Sequence, residues 1–246
     1  MNLYDLPELY DEQYLRYRED LGFYLRLAED YGGPVLELGA GTGRVTAALA
    51  GAGVEIVGVE LSEKMLESAR ARLAEANLSE RVTLHHGDMR EVRLEKTFPV
   101  VIAPFNTLMH AYTLAEQDAT LQTVRRHLAP GGVFACDLYT PNFTELDKLH
   151  QVREWAHVGG ERAELFVYQT HDADAQLVTS RYYLDTVKED GSLTRRTATL
   201  TQRYYTRFEL ERALYQAGFT NLKVYGGFGK ERPNRQAPYL VVTATM

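Results

Sequence analysis

Three glycines alternate with small residues in VLELGAGTGR, residues 35–44, directly behind an apolar run. A run like this at a strand-to-helix turn lets a ligand approach the backbone closely, and doubly wound sheets bind ligands at such turns. Gly39, Gly41 and Gly43 follow G-x-G-x-G, so the third glycine comes one residue earlier than in the dinucleotide fingerprint G-x-G-x-x-G. Glu37 places a carboxylate just before the turn, where it would repel a pyrophosphate, and nothing matches G-x-x-x-x-G-K-[ST]. The pattern suits a cofactor that carries a cation and no phosphate.

Two downstream acids extend that reading. Glu60 ends the apolar run VGVE, where an acid of a doubly wound fold accepts hydrogen bonds from both ribose hydroxyls. Asp88, in HHGDM, can accept the exocyclic amine of an adenine while Met89 lies on the ring. Taken singly, these are a tight turn, a surface carboxylate and a turn residue. In order, at three successive strand ends, they make a site.

The elements that must position them alternate. Asp11 to Tyr31 has helical periodicity with apolar Tyr14, Leu15, Leu21, Tyr24, Leu25 and Ala28, stopped by Gly32-Gly33-Pro34. Strands are expected at Val35–Leu38, Val54–Val59, Val82–His86, Pro99–Ala103 and Val133–Leu138. Helices are expected from Gly43 to Gly51 with Thr42 as N-cap, from Ser62 to about Ala76, and from Ala115 to Leu128 before Pro130-Gly131-Gly132. This alternation predicts an α/β, Rossmann-like, doubly wound sheet. Residues 152–205 change character and read as antiparallel strands turned at Gly159-Gly160 and Asp190-Gly191. A helix at Phe208–Ala217 and strands at Leu222–Tyr225 and Tyr239–Thr243 follow. The expected division is a cofactor-binding domain of residues 1–140 and 206–246 and a β-rich insert of residues 141–205, forming a substrate cap or dimer contact.

The 246 residues suffice for one sizeable core and a small subdomain. With 27 basic and 34 acidic side chains the net charge is −7, which argues against general nucleic-acid binding. Cys136 is the only cysteine, and neither a signal peptide nor a membrane-length apolar stretch is visible, so a cytoplasmic protein is expected.

VLELGAGTGR, VGVELSEKML, HHGDMREV, PVVIAPFNTLMH and LAPGGVFACDL together resemble, in order and spacing, the motifs of class I S-adenosylmethionine-dependent methyltransferases, over about residues 15–140. RYYTRFELERALYQAGF and the two strands after it resemble that family's last helix and reversed final strand. The resemblance implies a seven-stranded sheet with an antiparallel last strand. It implies that Glu60 holds the ribose, Asp88 and Met89 the adenine, and Gly39 and Ala40 the methionine part of S-adenosyl-L-methionine, which leaves as S-adenosyl-L-homocysteine. Glu37, Gly41, Gly43, Leu61, Met65, Pro104 and Phe105, inside the same motifs, complete the expected cofactor pocket. Glu60 stands where many members carry Asp, and Ala40 replaces a frequent Cys.

The acceptor side is read from APFNTLMHAY, residues 103–112, which lacks the [DN]-P-P-[YF] run of some nucleic-acid and protein methyltransferases. Asn106 is expected near the methyl, and His110 is the candidate to accept a proton or hydrogen-bond an amine. Tyr14 and Arg18, one helical turn apart, are expected on one face over the cofactor, with Arg18 pairing the methionine carboxylate. Tyr14 is also a candidate for the catalytic set.

The early YD-x-x-Y (Tyr10 to Tyr14) and the late β-rich insert resemble the branch of small-molecule N-methyltransferases, which includes glycine and amino-sugar enzymes. Trp155, Tyr168, Tyr182, Tyr183 and Tyr204 are the aromatics available to an acceptor pocket. His171, Asp172 and Asp174 sit in an apparent turn, and no metal is expected. The function expected is methylation of a small molecule, at nitrogen before oxygen. RNA or protein methylation and a non-catalytic binding module are the alternatives. No membrane partner is expected, nucleic acid is disfavoured, and the exposed edges of the insert make a homodimer possible.

Overall fold

The computed structural model describes residues 1–14, 17–156, 162–188, 190–234 and 236–246, with side chains of 153–156 excepted. Gly159-Gly160 and the Trp155 side chain lie outside the described residues, as does Leu15. The chain divides into two compact units. One comprises Met1–Leu15 and Pro141–Arg203, the other Arg16–Thr140 and Tyr204–Met246.

The larger unit is built on seven strands: β1 (Val35–Leu38), β2 (Ile56–Glu60), β3 (Val82–His86), β4 (Phe98–Ala103), β5 (Leu128–Tyr139), β10 (Asn221–Tyr225) and β11 (Tyr239–Thr245). Their order is β10-β11-β5-β4-β1-β2-β3. The first five run parallel, and β11 lies antiparallel between β5 and β10. The connecting helices are α2 (Leu21–Tyr31), α3 (Arg44–Gly51), α4 (Glu63–Glu75), α5 (Leu114–His127) and α6 (Arg207–Gln216).

Because strand side chains alternate faces, the sheet feeds two cores. Leu36, Leu38, Val101, Ala103, Phe134 and Cys136 pack with Leu121 and Val124 of α5 and Leu210 and Leu214 of α6. Val35, Val100, Ile102 and Ala135 pack with Phe23, Tyr24 and Leu27 of α2 and Val45 and Leu49 of α3. One face of the sheet thus carries α5 and α6 and the other α2 and α3.

The smaller unit is a four-stranded antiparallel sheet, β6-β7-β8-β9, of Leu149–Ala156, Arg162–Asp172, Leu177–Val187 and Leu193–Arg203. One face is sealed by Leu3, Leu6 and Leu9, from a short 3-10 helix and α1 (Pro7–Tyr14), against Leu165, Val167, Tyr182, Ala198 and Leu200. Residues 1–15 thus belong with the sheet that the sequence assigned to an insert, because their leucines bury its apolar face. The β8–β9 turn uses Asp190-Gly191 as read, with Ser192 N donating to Asp190 Oδ1 at 2.8 Å. Asp172 Oδ1 accepts Asp174 N and Ala175 N at 3.0 Å in the β7–β8 turn, and His171 packs on Phe143.

Three local expectations are corrected. The single N-terminal helix is two, α1 and α2, separated by non-helical Tyr17 and Arg18. Thr42 is not the N-cap of α3; that place is held by Gly43, whose φ of 79° an L side chain rarely adopts. The Pro130-Gly131-Gly132 segment falls inside β5, which begins directly after α5 and shifts register between Phe98 and Val100 of its partner strand.

Phe134, fully buried in β5, packs tilted on Phe219 with centroids 5.8 Å apart. Phe134→Ala is expected to cost about 3–5 kcal/mol in urea denaturation; a loss below about 1 kcal/mol would contradict this packing.

Candidate functional site

The carboxyl ends of the parallel strands bring most of the expected residues together. Gly39, Gly41 and Gly43 all have positive φ, 70°, 58° and 79°. Gly39 N and Ala40 N donate to Val59 O at 2.8 and 3.0 Å, pinning the turn after β1 to the end of β2. A Cβ on Gly39 would stand 2.6 Å from Thr107 Oγ1, and one on Gly43 3.2 Å from Ala69 Cβ. At Gly41 the nearest atom would be Met65 Cε, 3.9 Å away, an ordinary van der Waals contact.

Glu60 closes the turn from β2. Its Oε2 accepts Gly41 N at 2.9 Å and its Oε1 accepts Ser62 N at 2.8 Å. Burial raises its pKa, and the N–H donors of Ser62 and Gly41 oppose that shift. Each oxygen keeps lone-pair capacity for a further donor. Ser62 also caps α4, accepting Met65 N at 3.4 Å, while Leu61 is exposed.

Asp88 follows β3, and Arg90 grips both its oxygens, with Nε 2.9 Å from each. That pairing holds the Asp88 carboxyl below its usual range. Met89 is half-buried against the larger core.

Beyond β4 the backbone is strained. Phe105 and Asn106 have φ of 53° and 67°, a left-handed region costly for residues with side chains and concentrated at functional sites. Both are held by the end of β5: Phe105 N donates to Asp137 Oδ1 at 2.9 Å, and Tyr139 N donates to Asn106 Oδ1 at 2.6 Å. Thr107 Oγ1 donates to Pro104 O at 2.7 Å. His110 ends the short 3-10 helix Thr107–His110, its Nδ1 3.4 Å from Tyr112 Oη. Burial lowers its pKa to about 4, so the imidazole is neutral at physiological pH.

Three further expected residues have these local settings. The Glu37 carboxylate faces α3, where Thr46 Oγ1 donates to it at 2.6 Å. Arg18 is exposed in the segment between helices, and Tyr14 ends α1 in the smaller unit. They share no helix face. The reason for the break lies in Asp20, fully buried and paired with Arg44 at 2.8 and 2.5 Å. Arg44 also sits over the rings of Tyr17 and Phe105, 5.2 and 5.0 Å from their centroids, and donates to Tyr17 O at 3.3 Å. These bonds commit the backbone before α2 to the glycine turn. Tyr14 packs edge-on against Tyr10 at 4.9 Å, and its phenol, raised by burial and by Tyr182, stays protonated.

The sequence reading missed Asp20, Arg44, Asp137, Arg90 and Glu116. The first three pair across long separations that no local pattern marks. Glu116 had a signal: Thr113-x-x-Glu116 is a capping box. Among the described residues no group of three His, Cys, Asp or Glu is placed to hold a metal.

A methyltransferase-domain family model matches residues 35–132. The chain is 28% identical over 232 residues to a dTDP-3-amino-3,6-dideoxy-alpha-D-glucopyranose N,N-dimethyltransferase of Streptomyces fradiae, covering 91% of this chain and 87% of that one. It is 33% identical to a dTDP-3-amino-3,4,6-trideoxy-alpha-D-glucopyranose N,N-dimethyltransferase of Streptomyces venezuelae over 54% of each chain. Among solved structures, the CcbJ methyltransferase of Streptomyces caelestis superposes with a TM-score of 0.79 at 28% identity, covering 92% of this chain and 89% of the other. The chain carries a methyltransferase domain and is an S-adenosylmethionine-dependent enzyme, with S-adenosylmethionine as its cofactor.

Two outcomes follow from this geometry. Gly39→Ala is expected to lower stability by about 1–3 kcal/mol, since its Cβ meets Thr107 in a left-handed backbone; an unchanged melting temperature would contradict the contact. Glu37 is raised from 4.5 to about 8, by burial against the opposing Thr46 bond and Arg44. A raised carboxyl binds its proton more tightly folded than unfolded, so its contribution is full below about pH 4.5 and is lost as pH climbs to about 8. Glu37→Gln should therefore gain relative to wild type between pH 5 and pH 8 in denaturation series; a pH-independent difference would contradict this.

Proposed function

We propose that this methyltransferase methylates the amine nitrogen of a small molecule, and that the glycine turn with Glu60, Asp88 and Met89 holds its cofactor. The observation that carries the cofactor assignment is the Glu60 carboxylate, held beside the turn by Gly41 N and Ser62 N with capacity for two hydroxyl donors. The donor set fits a phosphate-free cation. Gly41 is less crowded than Gly39 and Gly43, and the cation beside the turn, Arg44, is bound by Asp20. In this reading Glu60 holds the ribose, and Asp88 the adenine amine. Gly39, Ala40, Gly41 and Gly43 carry the amino-acid part, while Leu61, Met65, Met89, Pro104 and Phe105 wall the pocket.

When bound, S-adenosylmethionine supplies a methyl group already activated on a sulfonium, so the protein's work is positioning and exclusion of water. Neutral His110 accepts a hydrogen bond from the acceptor N–H and so aims the nitrogen lone pair. Asn106, fixed by Tyr139 N through its Oδ1, presents its NH2 group as a donor. In this reading Arg18, exposed ahead of α2, pairs the cofactor carboxylate. The four-stranded unit serves as substrate cap or dimer contact. An amino sugar carried on a nucleotide, the acceptor class in the names of two relatives, is the acceptor we favour. No described helix is long and apolar enough to cross a membrane, and the lone buried Cys136 suits the cytoplasm.

Calorimetry should show that S-adenosylmethionine and S-adenosylhomocysteine bind and NAD does not. Glu60→Ala should weaken both nucleosides by about tenfold or more, since hydrogen bonds to a charged group are lost. His110→Ala should lower kcat by about 100-fold while leaving S-adenosylhomocysteine affinity unchanged. Unaltered binding in Glu60→Ala would remove the ribose assignment.

A further inference from the structure

Arg90 bridges two acids from different parts of the fold. Its backbone N–H donates to Asp88 Oδ1 at 2.8 Å, and its Nε and Nη2 engage the same carboxylate. Nη1 donates to Glu116 Oε1 on α5, 26 positions away. Thr123 Oγ1, also on α5, donates to Arg90 O at 3.1 Å and fixes the segment from the other side. The second oxygen of Glu116 is turned the opposite way. Oε2 accepts Tyr112 N and Thr113 N, each at 2.9 Å, and Thr113 Oγ1 at 3.2 Å. Tyr112 Oη then meets His110 Nδ1 at 3.4 Å, with the rings edge-on at 87°.

A capping box requires the Thr113 contacts alone. The bond from Tyr112 N and the ion pair with Arg90 go beyond it. Both oxygens of Glu116 face donors, so an isosteric glutamine must turn its NH2 group toward one of them. Only a planar guanidinium can span both carboxylates; an ammonium is a single compact charge. The chain Asp88, Arg90, Glu116, Tyr112, His110 therefore runs unbroken from the strand end after β3 to the loop after β4.

We propose that Arg90 and Glu116 are positioning residues that lock the adenine-side acid Asp88 and the acceptor-side loop of His110 into one unit. What the two ends hold rests on the methyl-transfer reading. The link itself does not. Cofactor engagement at Asp88 and the placing of the His110 loop are thereby coupled through the same two side chains.

A double-mutant cycle in S-adenosylhomocysteine affinity, measured by calorimetry, tests the link. Glu116→Gln should weaken binding by about fivefold, and the Asp88→Asn, Glu116→Gln double variant should lose clearly less than the product of the single losses. A general loosening of the fold would give the simple product, and that result would overturn the proposal. A second readout needs no cofactor. In the ligand-free protein, the His110 ring proton resonance should shift in both Glu116→Gln and Arg90→Lys, the latter at a partly exposed side chain that tolerates exchange. A resonance unmoved in both variants would also overturn it. Failure of the wild-type chain to bind S-adenosylhomocysteine would count against the methyl-transfer reading, and the ligand-free spectrum would still decide the link.

Discussion

The carboxylate of Glu60 on the amides of Gly41 and Ser62 is the interaction around which the larger unit is organised. It joins the turn after β1 to the end of β2 and to the start of α4. The turn can present its amide there only because its glycines adopt left-handed backbone conformations. Two of the three are also packed shut, Gly39 on Thr107 and Gly43 on Ala69, while at Gly41 a Cβ would meet only an ordinary contact with Met65. Thr107 belongs to the loop after β4, so the same turn fixes the segment that carries Asn106 and His110. One backbone geometry therefore sets the turn after β1 and the loop after β4 together.

Around that turn the larger unit buries acids, and each has a donor. Asp20 takes Arg44, Glu37 takes Thr46, and Asp137 takes Tyr24 Oη and Phe105 N. Burial lifts Asp137 to about 7 and Glu37 to about 8, so near neutral pH these groups carry less charge than their number suggests. Arg44 brings a cation next to the glycine turn, but its bidentate bond to Asp20 offsets it. The surroundings of the turn thus suit a sulfonium better than a pyrophosphate, which needs unpaired donors and cations.

The alternation of apolar runs and amphipathic stretches made the seven-stranded sheet legible, since strands buried on both faces are nearly continuous in Val, Leu and Ile. Val35–Leu38 and Val82–His86 fall where they were read. The glycine turn, Glu60 and Asp88 were legible as strand-end positions, because the apolar runs mark where β1, β2 and β3 stop. What the pattern hid depends on distant partners. The helix read from Asp11 to Tyr31 breaks because Asp20 is drawn to Arg44, 24 positions away. The first fifteen residues fall in the smaller unit because Leu3, Leu6 and Leu9 find their apolar surface on β7, β8 and β9. Glu37 was read toward the ligand and faces Thr46, because its neighbour on α3 was invisible in a strand tetrapeptide.

A structure of the protein crystallised with S-adenosylhomocysteine measures the central claim most directly. The account places both ribose hydroxyls within hydrogen-bond reach of Glu60 and the adenine amine on Asp88, with the amino-acid tail along residues 39–43. A nucleoside seated away from the glycine turn, or the Glu60 carboxylate swung out of contact with it, would contradict the account.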